Sequence, residues 1–208
     1  MSCYAPMRRQ RMGASHTLAK ENIVKKRLVS YLALAAIPLL TIFAFTTAPM
    51  VGARQGVHHY STILRSLNGS GVTGVATMDL DGSALTVTVV ASGLEANQTH
   101  MQHIHAIDHG NSTCPPPSAD ANGDGIVSFA EGLPFYGPVR LPLTVSGTTY
   151  PFIGPSGSLS YSRTFVVDPH DFLALQTKVV VLHGLTVNGT YDPSTPVACG
   201  QIRVIPGG

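Results

Sequence analysis

Leu85, Val87 and Val89 alternate with Thr86 and Thr88 just beyond an Asp81-Gly82 pair, and no other feature of the chain constrains its fold as tightly. A period of two puts the apolar side chains on one face of a strand and the threonines on the other. An Asp-Gly pair between two such runs is a hairpin turn signal. Runs at 59–67, 72–80 and 84–91 therefore predict three consecutive strands. A fourth falls at 99–107, and further strand signals occur at 140–145, 158–167, 178–183 and 200–205. Asp168-Pro169 and Asn188-Gly189 mark turns between them. The stretch 108–137 holds three consecutive prolines, Pro115-Pro116-Pro117, and several glycines, and is expected to be a long ordered loop. Helical periodicity is scarce and no internal repeat occurs. Seven or eight short strands predict an all-β fold, a Greek-key sandwich or barrel of antiparallel strands.

This pattern begins only after an N-terminal segment of different character. Lys25-Lys26-Arg27 precede an uncharged stretch from Leu28 to Ala53, and Val51-Gly52-Ala53 has the small residues of a cleavage site. Residues 1–53 are expected to be a secretory signal. The alternative is an uncleaved anchor, since an uncharged run of this length can span a bilayer. Either way, 54–208 is expected to be exported as one β-domain, touching a membrane only through that segment. Residues 1–53 hold seven of the 13 Lys and Arg and one of the 11 acids, leaving six basic and ten acidic residues, a net charge of −4, in the remainder. The basic balance belongs to targeting, and nucleic acid is not an expected partner. Cys3 leaves with the leader. Cys114 and Cys199 remain in an oxidising compartment, where a single disulfide is the natural inference. It would close a loop of about 85 residues, a chain-entropy contribution of about 4–5 kcal/mol.

Four of the nine histidines, His100, His103, His105 and His109, fall within ten residues. A lone buried histidine is usually a satisfied core residue. His103 and His105, however, are two apart on a predicted strand and point to the same face. His183, at the end of the apolar run VVVLHG, can complete a three-nitrogen metal site. Asp108 and His109 are neighbours that could add a ligand, although exposed loop residues are the commoner outcome. His58-His59 could take up metal only adventitiously. Nucleophile–base pairs, phosphate loops and cofactor fingerprints are not visible.

The acidic segment 120–131 has calcium-loop spacing. Asp120, Asn122, Asp124, Ser128 and Glu131 occupy positions 1, 3, 5, 9 and 12. Gly125 stands at position 6, and Ile126 offers a backbone carbonyl at position 7. Hard oxygen donors at that spacing suit calcium. The flanking prolines are unlike the helices of an EF-hand, so the expected ion is structural. The alternative is a solvated Asp/Gly turn without an ion. Asn68, Asn97, Asn111 and Asn188 each open an N-x-S/T sequence, the acceptor pattern for glycosylation in a eukaryotic host.

THMQHIHAIDHGNSTC, with VVVLHG and ACGQI downstream, resembles the copper-ligand strand and disulfide segments of the Cu/Zn superoxide dismutases over about residues 57–206. The resemblance implies His103, His105 and His183 as copper ligands, His100 as a structural histidine and Cys114–Cys199 as the family's disulfide. Superoxide would then be the substrate. The departures are as specific. Asp120 stands where the family has its bridging histidine, and no zinc-ligand cluster follows, so zinc is not expected. Pro196 stands where the anion-guiding arginine would be. A looser resemblance to chordin-type (CHRD) domains of bacterial secreted proteins implies the same fold without established chemistry. Two functions follow as expectations: a copper-only superoxide dismutase-like oxidoreductase, or a non-catalytic, calcium-stabilised extracellular domain.

Overall fold

The computed structural model describes residues 56–206. The expected export segment 1–53 and Cys3 lie outside the described residues. Along the chain run β1 (His58–Ser66), β2 (Thr73–Asp81), β3 (Ala84–Ser92), β4 (Gln98–Thr99) and β5 (Gln102–His105). Helix α1 (Phe129–Tyr136), β6 (Val139–Pro142), β7 (Phe152–Ile153), β8 (Ser158–Val166) and the short helix α2 (Pro169–Phe172) follow. The chain ends in β9 (Val179–Val187), β10 (Thr190–Gln201) and β11 (Arg203–Val204).

The main sheet is antiparallel, in the order β6-β5-β9-β10-β1-β2-β3-β8, with β11 on the flank of β1 and a separate β4–β7 pair. The chain crosses from β3 to β5, back from β6 to β8, and over again to β9. These are the over-and-back connections of a Greek key. Edge strands β6 and β8 are not hydrogen-bonded to each other. The seam is instead bridged by side chains of β8: Tyr161 Oη donates to the Thr144 carbonyl at 3.0 Å and Arg163 to the same oxygen at 2.7 Å. The result is a curled half-barrel, as the alternation predicted.

Alternation explains the interior. Ala76, Met78 and Leu80 of β2, and Leu85, Val87 and Val89 of β3, are buried within one core cluster, while the residues between them face out. Leu64, Leu80 and Leu85 are essentially inaccessible to solvent. Enclosing such a side chain contributes about 2–3 kcal/mol.

Three features differ from expectation. The long loop contains a helix, α1, because Ser128 and Glu131 form a capping box: Ser128 Oγ accepts from Glu131 N and Glu131 Oε2 accepts from Ser128 N. The strand expected at 99–107 is broken, because the chain changes partner between Thr99, paired to β7, and Gln102, paired to β9. Finally, β9 runs on past His183 and returns as the twelve-residue β10. Asn188 (φ 50°) and Gly189 (φ 79°) make the turn, both with the positive φ that such hairpins need.

Candidate metal centre

β5 and β9 are neighbours, with His103 opposite Val181 and His105 opposite Val179. β5, and β9 as far as Gly184, are buried on both faces. Ile104, Val180 and Leu182 enter the main core, whereas Val179, Val181 and Cys199 belong to a second cluster with Tyr136 of α1. By alternation His103, His105 and His183 join that second face. Their ring centroids lie 5.0 to 5.6 Å apart. One ring nitrogen of each falls within 4.8 Å of the others, and among the described residues no other set of three or more His, Cys, Asp or Glu side chains converges so closely.

The hydrogen bonds decide which nitrogen is free. His105 Nδ1–H donates to the Gly137 carbonyl at 2.8 Å and His183 Nδ1–H to the Ser194 carbonyl at 2.7 Å. A carbonyl only accepts, so each Nε2 keeps its lone pair. On His103 the roles are reversed: Nε2 is bonded to the Tyr150 hydroxyl at 2.8 Å, which leaves Nδ1. His103 Nδ1, His105 Nε2 and His183 Nε2 are all buried with no hydrogen-bond partner. Buried polar nitrogens without partners are rare and costly, by about 1–3 kcal/mol each. Three of them aimed at one another are accounted for by a shared cation, which is the fit expected of a transition-metal site with its tautomers set by outer hydrogen bonds.

Electrostatics favours the same state. Burial, and then His105, pushes His103 down to about 4. Burial also takes His105 to about 4, against the opposing Gly137 hydrogen bond. His183 is driven well below the ordinary value by burial first and then by the other two rings. At neutral pH all three are uncharged donors.

The backbone around the site is built for these contacts. Gly137 has φ 78°, and a Cβ there would lie 2.5 Å from the Ala106 carbonyl group. Only glycine brings its own carbonyl that close to β5. Asp192 accepts from Ser194 N, Ser194 Oγ and Thr195 Oγ1, which fixes the irregular stretch of β10 presenting the Ser194 carbonyl. The disulfide Cys114–Cys199, with Cα atoms 5.7 Å apart, ties the loop after β5 to β10 on the histidine side of the sheet.

The other candidates lie elsewhere. His100 sits apart from the three, with Nδ1 2.9 Å from the His183 carbonyl and Nε2 3.0 Å from that of Glu95. Asp108 and His109 are exposed, and Asp108 pairs with Arg140. His59 pairs with Asp79 at 2.6 Å. In the acidic loop, Asp120 accepts from Gly123, Asp124 and Gly125 N, and Asp124 from Ile126 N. Asn122 Oδ1 accepts from Asp124 N. Glu131 accepts from Ala121 and Asn122 N on one oxygen and from Ser128 on the other, which lowers its carboxyl below the usual range, the Ser128 backbone bond contributing most. The Asn68 amide is fully engaged, accepting from Val127 N and donating to the Val127 and Pro196 carbonyls. It braces the end of the acidic loop against β10.

Tyr150, Gly137 and Ser194 were not anticipated. Two act through backbone oxygens, which carry no residue signature, and Tyr150 lies 47 residues from its partner. No protein-family model matches this chain, and no curated protein matches it.

Proposed function

We propose that the chain is an exported β-domain that holds copper between His103, His105 and His183, related in fold and site to the Cu/Zn superoxide dismutases, with superoxide as a slow one-electron substrate. The observation that carries this reading is the trio of buried, unpartnered nitrogens, one from each ring. Imidazole serves copper in both of its oxidation states, and copper stands at the top of the divalent affinity order. Bound there, copper would supply one-electron redox chemistry. The chain's own groups do the rest: the Gly137 and Ser194 carbonyls hold the tautomers of His105 and His183, Tyr150 engages Nε2 of His103, and burial keeps protons off the donors.

Slow turnover follows from what surrounds the site. Steering a small anion needs an exposed cation near the metal, and Pro196, at the resemblance's arginine position, is buried and uncharged. The second reading, a non-catalytic CHRD-type extracellular domain, is favoured by the burial of the histidines, which are at most 5% exposed. For the acidic loop the proposal is a structural calcium ion on Asp120, Asn122, Asp124, Ser128, Glu131 and the Ile126 carbonyl. Support comes from Gly125 at φ 87° in the loop's sixth position and from the helix that starts immediately after Ser128.

Titration of Cu(II) into metal-free protein, read by electron paramagnetic resonance, tests the centre. A nitrogen-rich signal at one equivalent, retained in His58→Ala and lost in His105→Ala, is the expected result. Identical spectra in the two variants would exclude the three-histidine site. Chelator-dependent loss of melting temperature, abolished in Glu131→Gln, tests calcium.

A further inference from the structure

The histidines do not face solvent across a cleft. Helix α1 lies over their side of the sheet and meets His105 and His183 with aromatic rings, while Tyr150 packs on His103. The Phe129 centroid is 6.0 Å from His183 and 6.2 Å from His105, and the Tyr136 centroid is 4.6 Å from His105. The two rings are 6.0 Å apart and form a continuous cover. Tyr136 is completely buried, and its hydroxyl donates to the Phe129 carbonyl at 2.6 Å, pinning one end of the helix to the other. Gly132 permits this: a Cβ there would lie 2.2 Å from the Tyr136 ring.

This cover is fastened at several points. The Ser128–Glu131 capping box holds the helix start, Thr113 N donates to the Phe135 carbonyl, and Asn68 grips Val127 two residues before Phe129. The free nitrogens beneath it have essentially no solvent-accessible surface.

We propose that Phe129, backed by Tyr136, is the ligand-excluding residue of the centre, keeping small anions from solution off a metal ion held by the three histidines. The proposal rests on the three-histidine reading given above. It assigns the chain a closed centre, with which superoxide would exchange an electron across the aromatic cover and not as a ligand of the ion. Inserting a small anion between the imidazoles and α1 would require the Phe129 ring to leave its packing. An alanine at that position removes the ring and leaves the capping box intact, since Ser128 and Glu131 make the box.

Azide is the probe, because it is a small anion whose binding to Cu(II) alters both the paramagnetic spectrum and the absorption. In copper-loaded full-length protein, azide should leave the wild-type spectrum unchanged. Phe129→Ala should gain azide affinity by about tenfold or more, with Phe129→Leu between the two. A second measurement needs no variant: copper-loaded wild type should relax solvent water protons weakly, because exchangeable water does not reach the ion. Azide perturbing wild type as strongly as Phe129→Ala, or strong water relaxation by wild type, overturns the proposal. So does an alanine variant that keeps the nitrogen-rich copper signal yet ignores azide. A wild type that takes no copper into this site overturns the three-histidine reading, and this inference with it.

Discussion

The two ends of the sheet solve different problems. At the β2, β3 and β8 end, one face is buried and the other meets solvent. Thr86 pairs with Thr164 and Thr88 with Ser162 across the outer face, beside the exposed Val75 and Val90. At the β5 and β9 end both faces are covered, and residues Gln102–His105 and Val179–Gly184 are buried without interruption. A strand with one wet face buries mainly apolar side chains, and a buried polar atom such as the Tyr161 hydroxyl is hydrogen-bonded. A strand covered twice has a second interior, and there a polar side chain can be kept dry, neutral and aimed. The candidate metal centre belongs to that second interior; helix α1, which covers His105 and His183, hangs from the long connection between β5 and β6, and Tyr150, which packs on His103, follows β6.

If that contrast holds, damage to the cover should be felt far more than damage to the wet face. The largest effect expected of any substitution is from opening the disulfide. Cys114→Ser with Cys199→Ala releases a cross-link of sequence separation 85, and should lower unfolding free energy by about 4–5 kcal/mol in denaturant titration. A loss no greater than that of a surface variant would show that the cover stands without it.

Acid should act next, and only on the covered end. His103 and His105 sit at about 4 in the folded state, below the ordinary 6.5. Above pH 6.5 they are neutral in both states and contribute no pH dependence. Between 6.5 and 4 the unfolded chain binds protons that the folded one refuses, so stability falls as pH falls, then levels off below 4. The loss is on the order of 3 kcal/mol per histidine. Melting curves of metal-free protein at pH 7 and 4.5 should show it, and His103→Gln should remove part of it.

A smaller loss, about 1–3 kcal/mol, is expected of Asn68→Ala, which strips partners from the Val127 amide and the Val127 and Pro196 carbonyls. Hydrogen exchange should rise in 120–136 and stay unchanged in β2 and β3. Thr88→Ala, on the wet face, should cost less than about 0.5 kcal/mol. A larger effect there would erase the contrast between the two ends.

The same contrast explains what could be read from residues alone. At the one-sided end, alternation located β1, β2, β3 and β8 to within a residue or so, because solvent on one face writes a period of two into the sequence. At the covered end that period disappears. The extension of β9 past His183 and most of β10 were missed, since Pro193 and Pro196 argue against a strand and only the register shifts around Pro196 accommodate them. Helix α1 was hidden for another reason: Ser128 and Glu131 have the spacing of two calcium-loop ligands and equally of a capping box. The three converging histidines were legible from an H-x-H strand and a later histidine. The aromatic cover was not, because Phe129 and Tyr136 reach His105 through a helix that no periodicity announced.

Two of the three candidate ligand rings are oriented by main-chain oxygens, those of Gly137 and Ser194. Every amino acid has a carbonyl, so substitution at position 194 leaves His183's acceptor in place so long as that stretch of β10 holds its shape. Position 137 is guarded instead by the demand for glycine. Only the third support, the Tyr150 hydroxyl on His103, is a side-chain atom that one nucleotide change can delete while the fold survives. Heritable variation in this candidate centre is therefore channelled through a single ring, and natural drift or a designer's library would alter it at residue 150 before any of the three histidines is touched.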